Sequence, residues 1–511
     1  MREDQSATID FLSEPGSYPH APKAVERIDT HGAVIFLAGE RAYKLKRAVK
    51  LAYLDFSSLE KRRAVCEREL ALNRVTAPEL YLGLLPVRRD AHGGRSFDGE
   101  GEIVDWVIEM RRFDGDQLFD ALAKAGRLEP ALLERLAQAV ERFHAQAPQH
   151  KQCAWPDSLA LVTKTVTDAF AHVELAELGL DAAIAGLRGA LASGGPLLNA
   201  RREAGLVRRC HGDLHLKNIV LIGGEPRLFD ALEFDEELAT VDVLYDLGFL
   251  LMDLWHRGLR GEANLVLNHY FAREPSGIEW AGLALLPLFL SLRAGVRAMV
   301  GLDGLALAQS EQRIALRDET RSYAALAMAL VAPPPPRLIA IAGLSGTGKT
   351  TVARALAPWI GAAPGALHLR SDLERKALFG AGPTQRLGAE AYGEQANARV
   401  YARLAAKAEA ILGARHPVVL DATFMREEDR AALAALAGRS GVRLEAVWLE
   451  ADAAQMASRV TARRGDASDA DAAIVQRQLS ESAEPPPNWR KVDARGSSEA
   501  TIGRVAALLG L

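Results

Sequence analysis

The feature that most constrains the fold of this chain is a glycine-rich loop at residues 343–350, GLSGTGKT, which fits the pattern G-x-x-x-x-G-K-[ST]. An apolar strand, residues 338–342, comes directly before it. Val352, Leu356 and Ile360 give the following helix an apolar face at the spacing i, i+4, i+8. Strand and helix continue to alternate downstream, which predicts an α/β domain with a parallel sheet.

The glycines of this loop have a chemical use. Without Cβ atoms the backbone can curl until its N–H groups point at phosphate oxygens, and the N-terminus of the next helix adds positive potential. Lys349 would reach the β- and γ-phosphates, and the Thr350 hydroxyl would bind Mg²⁺. The predicted nucleotide-binding residues are Gly343, Ser345, Gly346, Thr347, Gly348, Lys349, Thr350 and Thr351. The loop therefore predicts a bound nucleoside triphosphate together with Mg²⁺.

A second apolar strand, residues 417–420, ends at Asp421. A carboxylate at the end of a strand beside a phosphate loop is in position to hold the Mg²⁺ ion and its water shell. An aspartate that only caps the next turn is the alternative. We predict Asp421 as a metal ligand.

Two further features favour transfer of phosphate to a hydroxyl over mechanical use of ATP. Asp372 follows a short apolar stretch and would accept a proton from an acceptor hydroxyl, while Arg375 would hold an anionic part of that acceptor. Arg459, Arg463 and Arg464 precede a polar loop and would form a cationic lid over the phosphates. A solvated basic helix followed by a surface loop is the alternative interpretation.

These segments resemble a known family. GLSGTGKTT, RSDLERK, VVLDATF and the arginine-bearing lid are similar to the small P-loop kinases that include gluconate kinase, zeta toxins and polynucleotide 5′-kinases, over about residues 338–511. The resemblance implies a P-loop NTPase fold and makes Asp372 the acceptor-side base. The sequence has no N-K-x-D guanine motif, so the resemblance favours ATP over GTP. It does not identify the acceptor.

Four consecutive prolines, residues 333–336, mark the clearest domain boundary. Prolines cannot donate backbone hydrogen bonds and favour an extended, semi-rigid spacer. We therefore predict an N-terminal domain at residues 1–332, a linker at 333–337 and a P-loop kinase domain at 338–511. The first domain begins with strands, including a predicted β-hairpin near residues 34–46, and continues with Ala/Leu-rich helices.

The first domain carries a second candidate site. Residues 211–218, HGDLHLKN, precede an apolar strand, a Gly-Gly turn and a strand that ends at Asp230. This resembles the catalytic core of the aminoglycoside phosphotransferases and implies an α+β protein-kinase-like fold over about residues 28–260. In that family Asp213 would orient and deprotonate an acceptor hydroxyl, while Asn218 and Asp230 would ligate Mg²⁺. A His/Asp-rich turn before a hairpin is the alternative.

Further residues match the phosphotransferases. Lys44 resembles the strand lysine that binds the α- and β-phosphates, and Lys46, on the same face two residues later, is the competing candidate. Glu69 in the next helix is the expected ion-pair partner, with Glu67 as its competitor. Asp246 resembles an aspartate that braces the catalytic loop from a helix.

Composition limits the partners and the compartment. There are 62 Lys and Arg against 66 Asp and Glu, a net charge of -4, which makes no global electrostatic case for nucleic acid or anionic membrane. Three cysteines without a C-x-x-C pair indicate a reduced, intracellular protein. The N-terminus has no apolar signal segment, and the apolar stretch at residues 281–292 is too short for a bilayer. We therefore expect a cytoplasmic protein without a membrane partner.

Together these features predict a bifunctional ATP- and Mg²⁺-dependent kinase that phosphorylates hydroxyls of small-molecule acceptors. The two-part arrangement resembles bacterial proteins that fuse these same two kinase modules. A nucleic-acid 5′-hydroxyl kinase is one alternative, with nucleic acid as the less favoured partner. A nucleotide-sensing regulatory ATPase with one inactive kinase domain is the other. Neither acceptor, nor the oligomeric state, follows from the sequence.

Overall fold

The structure is a computed structural model that describes residues 4–30, 32–50, 54–273, 275–305, 308–462, 466–481, 485 and 487–511. Before the proline segment the strands are β1 (Val25–Asp29), β2 (Ala33–Ala38), β3 (Arg41–Lys46), β4 (Tyr81–Arg89), β5 (Arg95–Ser96), β6 (Glu102–Arg111), β7 (Val207–Arg209), β8 (Ile219–Ile222), β9 (Glu225–Leu228) and β10 (Thr240–Asp242). The helices there are α1 (Ser6–Ser13), α2 (Leu59–Asn73), α3 (Phe119–Lys124), α4 (Pro130–Gln146), α5 (Trp155–Phe170), α6 (Asp181–Glu203), α7 (Glu236–Ala239), α8 (Val243–His256), α9 (Arg260–Tyr270), α10 (Gly277–Ala281), α11 (Leu286–Leu305) and α12 (Ser310–Val331).

After the proline segment the strands are β11 (Leu338–Gly343), β12 (Leu367–Arg370), β13 (Val418–Asp421), β14 (Leu444–Glu450) and β15 (Arg490–Asp493). The helices are α13 (Lys349–Leu356), α14 (Ser371–Leu378), α15 (Glu394–Gly413), α16 (Glu427–Arg439), α17 (Ala453–Ala462), α18 (Ala472–Glu481) and α19 (Ser498–Leu509). Strands and helices alternate through this part, as predicted.

Backbone contacts divide the chain into two compact units. The first unit is Met1–Leu159 with Arg202–Leu250, and the second is Ala160–Arg201 with Leu251–Leu511. This division does not fall at the four prolines, because α9 contacts β12 and α10 contacts α15 inside the second unit. The domain limits 1–332 and 338–511 remain a prediction from composition and motifs.

The first unit is built on an antiparallel sheet with the strand order β1-β2-β3-β6-β4-β5. The predicted hairpin is confirmed: β2 and β3 pair from Ala33 opposite Lys46 to Ala38 opposite Arg41. Alternation along β3 buries Tyr43 and Leu45 in one apolar cluster. Lys44 and Lys46 therefore share the opposite face of the strand.

The second unit contains a five-stranded parallel sheet with the order β12-β13-β11-β14-β15. Every residue of the central strand β11 is buried, as expected for a strand covered on both faces. The helix after the phosphate loop is shorter than predicted: it ends at Leu356, and Ile360 lies beyond a 3₁₀ turn that contains Pro358. Proline cannot continue the helical hydrogen bonding, although Val352, Leu356 and Ile360 are all buried.

Among the described residues, one helical stretch, Gly277–Leu305, is long and apolar enough by length and composition to cross a membrane. Its most apolar window is 67% buried inside the protein, as in the core helix of a globular domain. The apolar stretch at residues 281–292 lies within this segment.

Candidate functional site

The loop at residues 211–218 in the first unit, the predicted catalytic loop, brings Asp213 and Asn218 into direct contact. Asn218 Nδ2 donates to Asp213 Oδ2 at 2.9 Å and to the Asp213 carbonyl at 3.0 Å. Because the amide nitrogen makes these two contacts, the amide oxygen is the Asn218 atom that would ligate a metal. Asn218 immediately precedes β8, and its carbonyl accepts from the Phe229 N–H at 3.0 Å, next to Asp230. This backbone hydrogen bond places Asn218 beside Phe229, the residue before Asp230.

Asp230 pairs with a strand lysine, and that lysine is Lys44. Lys44 Nζ lies 2.5 Å from Asp230 Oδ1 and 2.8 Å from Glu69 Oε1. Burial lowers the pKa of Lys44, but the charges of Asp230 and Glu69 outweigh it and hold the pKa well above its ordinary value. Burial likewise raises the pKa of Asp230, and Lys44 and Lys46 outweigh it, so the pKa of Asp230 is lowered. Both groups are therefore charged at neutral pH.

Lys46 forms a second ion-pair set that sequence reasoning did not foresee. Its Nζ lies 2.5 Å from Glu69 Oε2 and 2.5 Å from Glu233 Oε1. Glu69 is fully buried, and each of its carboxylate oxygens holds one lysine. The competitor Glu67 is exposed and pairs with Arg63. The structure therefore places Glu69, and not Glu67, beside both lysines.

The backbone at Asp230 is held in an unusual conformation. Asp230 has φ 59°, in the left-handed region that residues with side chains seldom adopt. Its N–H donates to the Tyr81 hydroxyl at 3.1 Å, and the next N–H, of Ala231, donates to Asn73 Oδ1 at 2.9 Å. Contacts from two separate elements thus compensate for the strain and aim the carboxylate at Lys44.

Asp246 braces the catalytic loop, as its resemblance implied. Its carboxylate accepts from the N–H groups of His211 at 3.1 Å and Gly212 at 2.8 Å, and it lies 3.1 Å from His144 Nε2. Gly212 has φ 82°, and a Cβ there would lie 2.9 Å from the Leu232 Cβ, so the position requires glycine. The His211 ring contacts the Phe229 carbonyl at 2.9 Å, which makes it a loop-holding residue.

In the second unit the phosphate loop links β11 to α13. Gly346 has φ 86°, and a Cβ there would lie 2.6 Å from the Met456 carbonyl oxygen, so α17 can approach only a glycine. Lys349 Nζ donates to the Leu344 carbonyl at 3.0 Å, across the mouth of the loop. Of the other predicted loop residues, Gly343, Ser345 and Thr347 are buried, Gly348 is half-buried and Thr351 is exposed.

Asp421 at the end of β13 meets the loop. The Thr350 hydroxyl donates to Asp421 Oδ2 at 2.6 Å, and His368 Nε2 lies 3.3 Å from the same oxygen. Burial raises the pKa of Asp421, but the hydrogen bond from His368 and the charges of Lys349 and Arg370 lower it to about 2. An ionised carboxylate beside a threonine hydroxyl is an oxygen donor set that fits Mg²⁺. Thr350 and Asp421 would hold the ion, which would neutralise phosphate charge when bound.

Asp372 is the second residue of α14, and Ser371 alone separates it from β12. Burial and the negative charge of Asp421 raise its pKa, and the positive charge of Lys349 opposes the shift. A carboxylate with a raised pKa close to Lys349 suits a general base. Arg375, one turn further on, is buried with its guanidinium 4.8 Å from the Tyr392 ring, and it donates to the Ala391 carbonyl at 2.5 Å.

Arg459, one of the three arginines predicted to form a lid, contacts the backbone of the phosphate loop. Arg459 lies on α17 and donates to the carbonyls of Gly346 at 3.4 Å and Ala494 at 3.1 Å. In this structure it braces the loop backbone, and its role as a lid cation over the phosphates remains a prediction. Arg463 and Arg464 lie outside the described residues. From α18, Gln478 Oε1 accepts the Ser345 N–H at 2.8 Å.

Sequence reasoning missed three of these residues, namely His368, Glu233 and Gln478. His368 and Arg370 alternate with buried leucines along β12, and that pattern could have marked one polar face of a strand directed at the loop. Glu233 lies in the acidic run at residues 233–237, and such a run by itself is typical of a solvated face. Gln478 gave no signal, because its contact with Ser345 depends on how α18 folds back.

Comparisons with known proteins match both parts of the chain. A family model described as "Phosphotransferase enzyme family" matches residues 39–286, and one described as "AAA domain" matches residues 338–486. Among solved structures, a choline/ethanolamine kinase family protein from Mesorhizobium loti is 17% identical with a TM-score of 0.38, covering 64% of this chain and 99% of that one. A gluconokinase from Sinorhizobium meliloti is 22% identical with a TM-score of 0.25, covering 34% of this chain and 96% of that one.

Two relatives match this chain over most of its length. Uncharacterized proteins of Mycobacterium bovis and Mycobacterium tuberculosis are each 30% identical to this chain over 494 residues, covering 93% of both chains. The chain therefore belongs to the family of these mycobacterial proteins, and it joins a phosphotransferase-family, protein-kinase-like domain to a P-loop kinase-like domain.

Proposed function

We propose that this protein is a bifunctional, cytoplasmic phosphotransferase that moves the γ-phosphoryl group of ATP to hydroxyls of small-molecule acceptors at two separate Mg²⁺-dependent sites. The observation that carries the proposal is that each unit holds its own set of base, cation and metal-ligand candidates. In the first unit these are Asp213, Lys44 and Asp230. In the second they are Asp372, Lys349 and Asp421.

At the first site each residue would have a separate role. Asp213 would orient the acceptor hydroxyl and take its proton, and Asn218 keeps the Asp213 carboxylate in place through its 2.9 Å hydrogen bond. Lys44 would turn from Asp230 toward the α- and β-phosphates. Asn218 and Asp230 would hold the metal, whose chemistry is to neutralise charge on the phosphates.

At the second site the N–H groups of the phosphate loop would bind the phosphates, with Lys349 across the mouth of the loop. Asp372 would accept the proton of the acceptor hydroxyl. Arg375 lies on the same face of α14 three residues later, which supports an acceptor with an anionic group.

Single substitutions test the two-site proposal. ATP consumption and phosphoryl acceptance are measured over a panel of metabolites and oligonucleotides for the wild type, Asp213→Ala and Lys349→Ala. We expect each substitution to abolish one set of products and leave the other, with a loss on the order of 10²-fold or more at the Asp213 site. Lys217→Ala, an exposed residue of the same loop, is the matched control.

Two other results of these assays would support the alternative functions. ATP turnover that oligonucleotides stimulate and that falls steeply with salt would indicate a nucleic-acid 5′-hydroxyl kinase. Nucleotide binding without turnover in one unit would indicate a sensing domain. If neither substitution changes ATP consumption, the two-site proposal is wrong.

A further inference from the structure

The edge strand of the P-loop sheet is completed by side chains of a helix. β12 pairs with β13 on one side and stands at the end of the strand order. The N–H of Leu367 points toward β13, where it donates to the Pro417 carbonyl. The N–H of His368, which alternation turns the other way, donates to Asn268 Oδ1 of α9 at 2.7 Å.

Asn268 acts on β12 as a peptide group of a neighbouring strand would. Its oxygen accepts from His368, and its Nδ2 donates to the Ala366 carbonyl at 3.3 Å. Asn264, one turn earlier on α9 and buried, donates to the same Ala366 carbonyl at 3.0 Å and to the Pro364 carbonyl at 3.1 Å. Two amide side chains thus satisfy the backbone groups that an edge strand otherwise leaves unpaired.

The strand held in this way carries part of the candidate site. His368 contacts Asp421 Oδ2 through its ring at 3.3 Å, and Arg370 Nε lies 3.8 Å from the same oxygen. An ionised carboxylate only accepts hydrogen bonds, so His368 Nε2 is the donor. Asp372 lies two residues after Arg370, in the first turn of α14. A shift of β12 along α9 would therefore move the contacts of Asp421 and the predicted base together.

We propose that Asn268, supported by Asn264, is a positioning residue of the P-loop site: α9 fixes the edge strand that sets His368 and Arg370 against Asp421 and places Asp372. The helix lies within residues 39–286, the segment matched by the phosphotransferase family model. A helix from that segment thereby completes the site of the P-loop kinase. The activity arm of the test rests on the proposed function, and the other arms do not.

The activity arm uses the full chain with Asp213→Ala, so that only the P-loop site transfers phosphate. Asn268→Leu keeps the side-chain size and removes both hydrogen bonds to β12. We expect the kcat of the P-loop reaction to fall roughly tenfold, since small displacements of catalytic groups are costly. The Kd for ATP should change less than about twofold, because Lys349 is carried by β11 and α13.

Two variants separate positioning from general damage. Asn268→Asp keeps the acceptor for the His368 N–H and loses the donor to Ala366, so it should retain more of kcat than Asn268→Leu. Asn199→Leu is the matched control, since Asn199 is an exposed helical asparagine of the same unit that donates to the Gly195 carbonyl one turn back. It should behave as wild type.

Hydrogen–deuterium exchange of peptides that cover residues 366–371 gives a readout that needs no acceptor. We expect exchange there to be about fivefold or more faster in Asn268→Leu, or in Asn268→Ala should the first variant not fold, because the His368 N–H loses its acceptor in both. Unchanged exchange together with unchanged kcat would overturn the proposal. If the wild type transfers no phosphate at the P-loop site, the proposed function fails, and the exchange rate alone then decides this inference.

Discussion

Removal of the Glu69 carboxylate is the sharpest test of the cluster in the first unit. Glu69 is fully buried and holds Lys44 on one oxygen at 2.8 Å and Lys46 on the other at 2.5 Å. Glu69→Gln preserves the shape of the side chain and removes the charge. Lys44 keeps Asp230, and Lys46 keeps Glu233, so each lysine retains one partner.

The two ion pairs of Glu69 set the expected loss in the free energy of unfolding. Breaking a buried ion pair by removing one partner costs about 3–5 kcal/mol, and a pair whose lysines keep other carboxylates belongs at the lower end. We therefore expect Glu69→Gln to lower the free energy of unfolding of the first unit by about 3 kcal/mol. The loss of stability should be largest for the amides of β3 and α2, because the lost ion pairs join these two elements.

The assay is native-state hydrogen exchange in increasing urea, measured on peptides from β3 and α2. Glu67→Gln is the matched control, because Glu67 lies two residues away, is exposed and pairs with the exposed Arg63. An exposed pair contributes at most about 1 kcal/mol. Equal effects of the two substitutions would refute the assignment of Glu69 as the shared partner of both lysines.

Three further outcomes follow from the structure. The Asp246 carboxylate accepts hydrogen bonds from the backbone N–H groups of His211 and Gly212, and Asp246→Asn would place an amide donor against one of them. We expect this substitution to lower kcat at the first site about tenfold, measured in a variant whose P-loop site is inactive. The pKa of Asp421 is lowered to about 2, so the stability that its ionised carboxylate contributes is present above its ordinary pKa and is lost as the pH falls toward 2. The free energy of unfolding from urea titrations should therefore fall by about 2 kcal/mol between about pH 5 and pH 2. Asp421→Asn should lack this fall. Cys66 and Cys210 are buried and burial raises the pKa of both thiols, so an aromatic disulfide reagent should modify half-buried Cys153 first and the other two only on unfolding.

The sequence was informative where one short segment carries the chemistry. The loops at residues 211–218 and 343–350 contain their own base, amide, lysine and glycines, and the alternation of strand and helix around them follows from local hydrophobic periodicity. Both fold classes could therefore be predicted. The hairpin of β2 and β3 was equally local, since its turn and its alternating apolar residues are adjacent in the chain.

Residues that act across long separations could not be predicted in the same way. Lys46 and Glu233 are 187 positions apart, and Asn268 and His368 are 100 positions apart. Nothing in the residues around Asn268 distinguishes an amide that pairs with a strand edge from one that faces solvent. The early end of α13 had a local signal in Pro358, but the apolar spacing through Ile360 outweighed it in the prediction.

The two sites differ in the groups that would bind the nucleotide phosphates, and this difference should affect how strongly nucleotide affinity depends on Mg²⁺. In the first unit Lys44 is already neutralised by Glu69 and Asp230, so phosphate must compete with a carboxylate for the same ammonium group. A cation on Asp230 would remove that competitor, which ties nucleotide affinity at this site to Mg²⁺. In the P-loop site the phosphates would meet Lys349 together with several backbone N–H groups, and these uncharged groups contribute binding that displaces no carboxylate. Nucleotide binding should therefore depend on Mg²⁺ more steeply in the first unit than in the second.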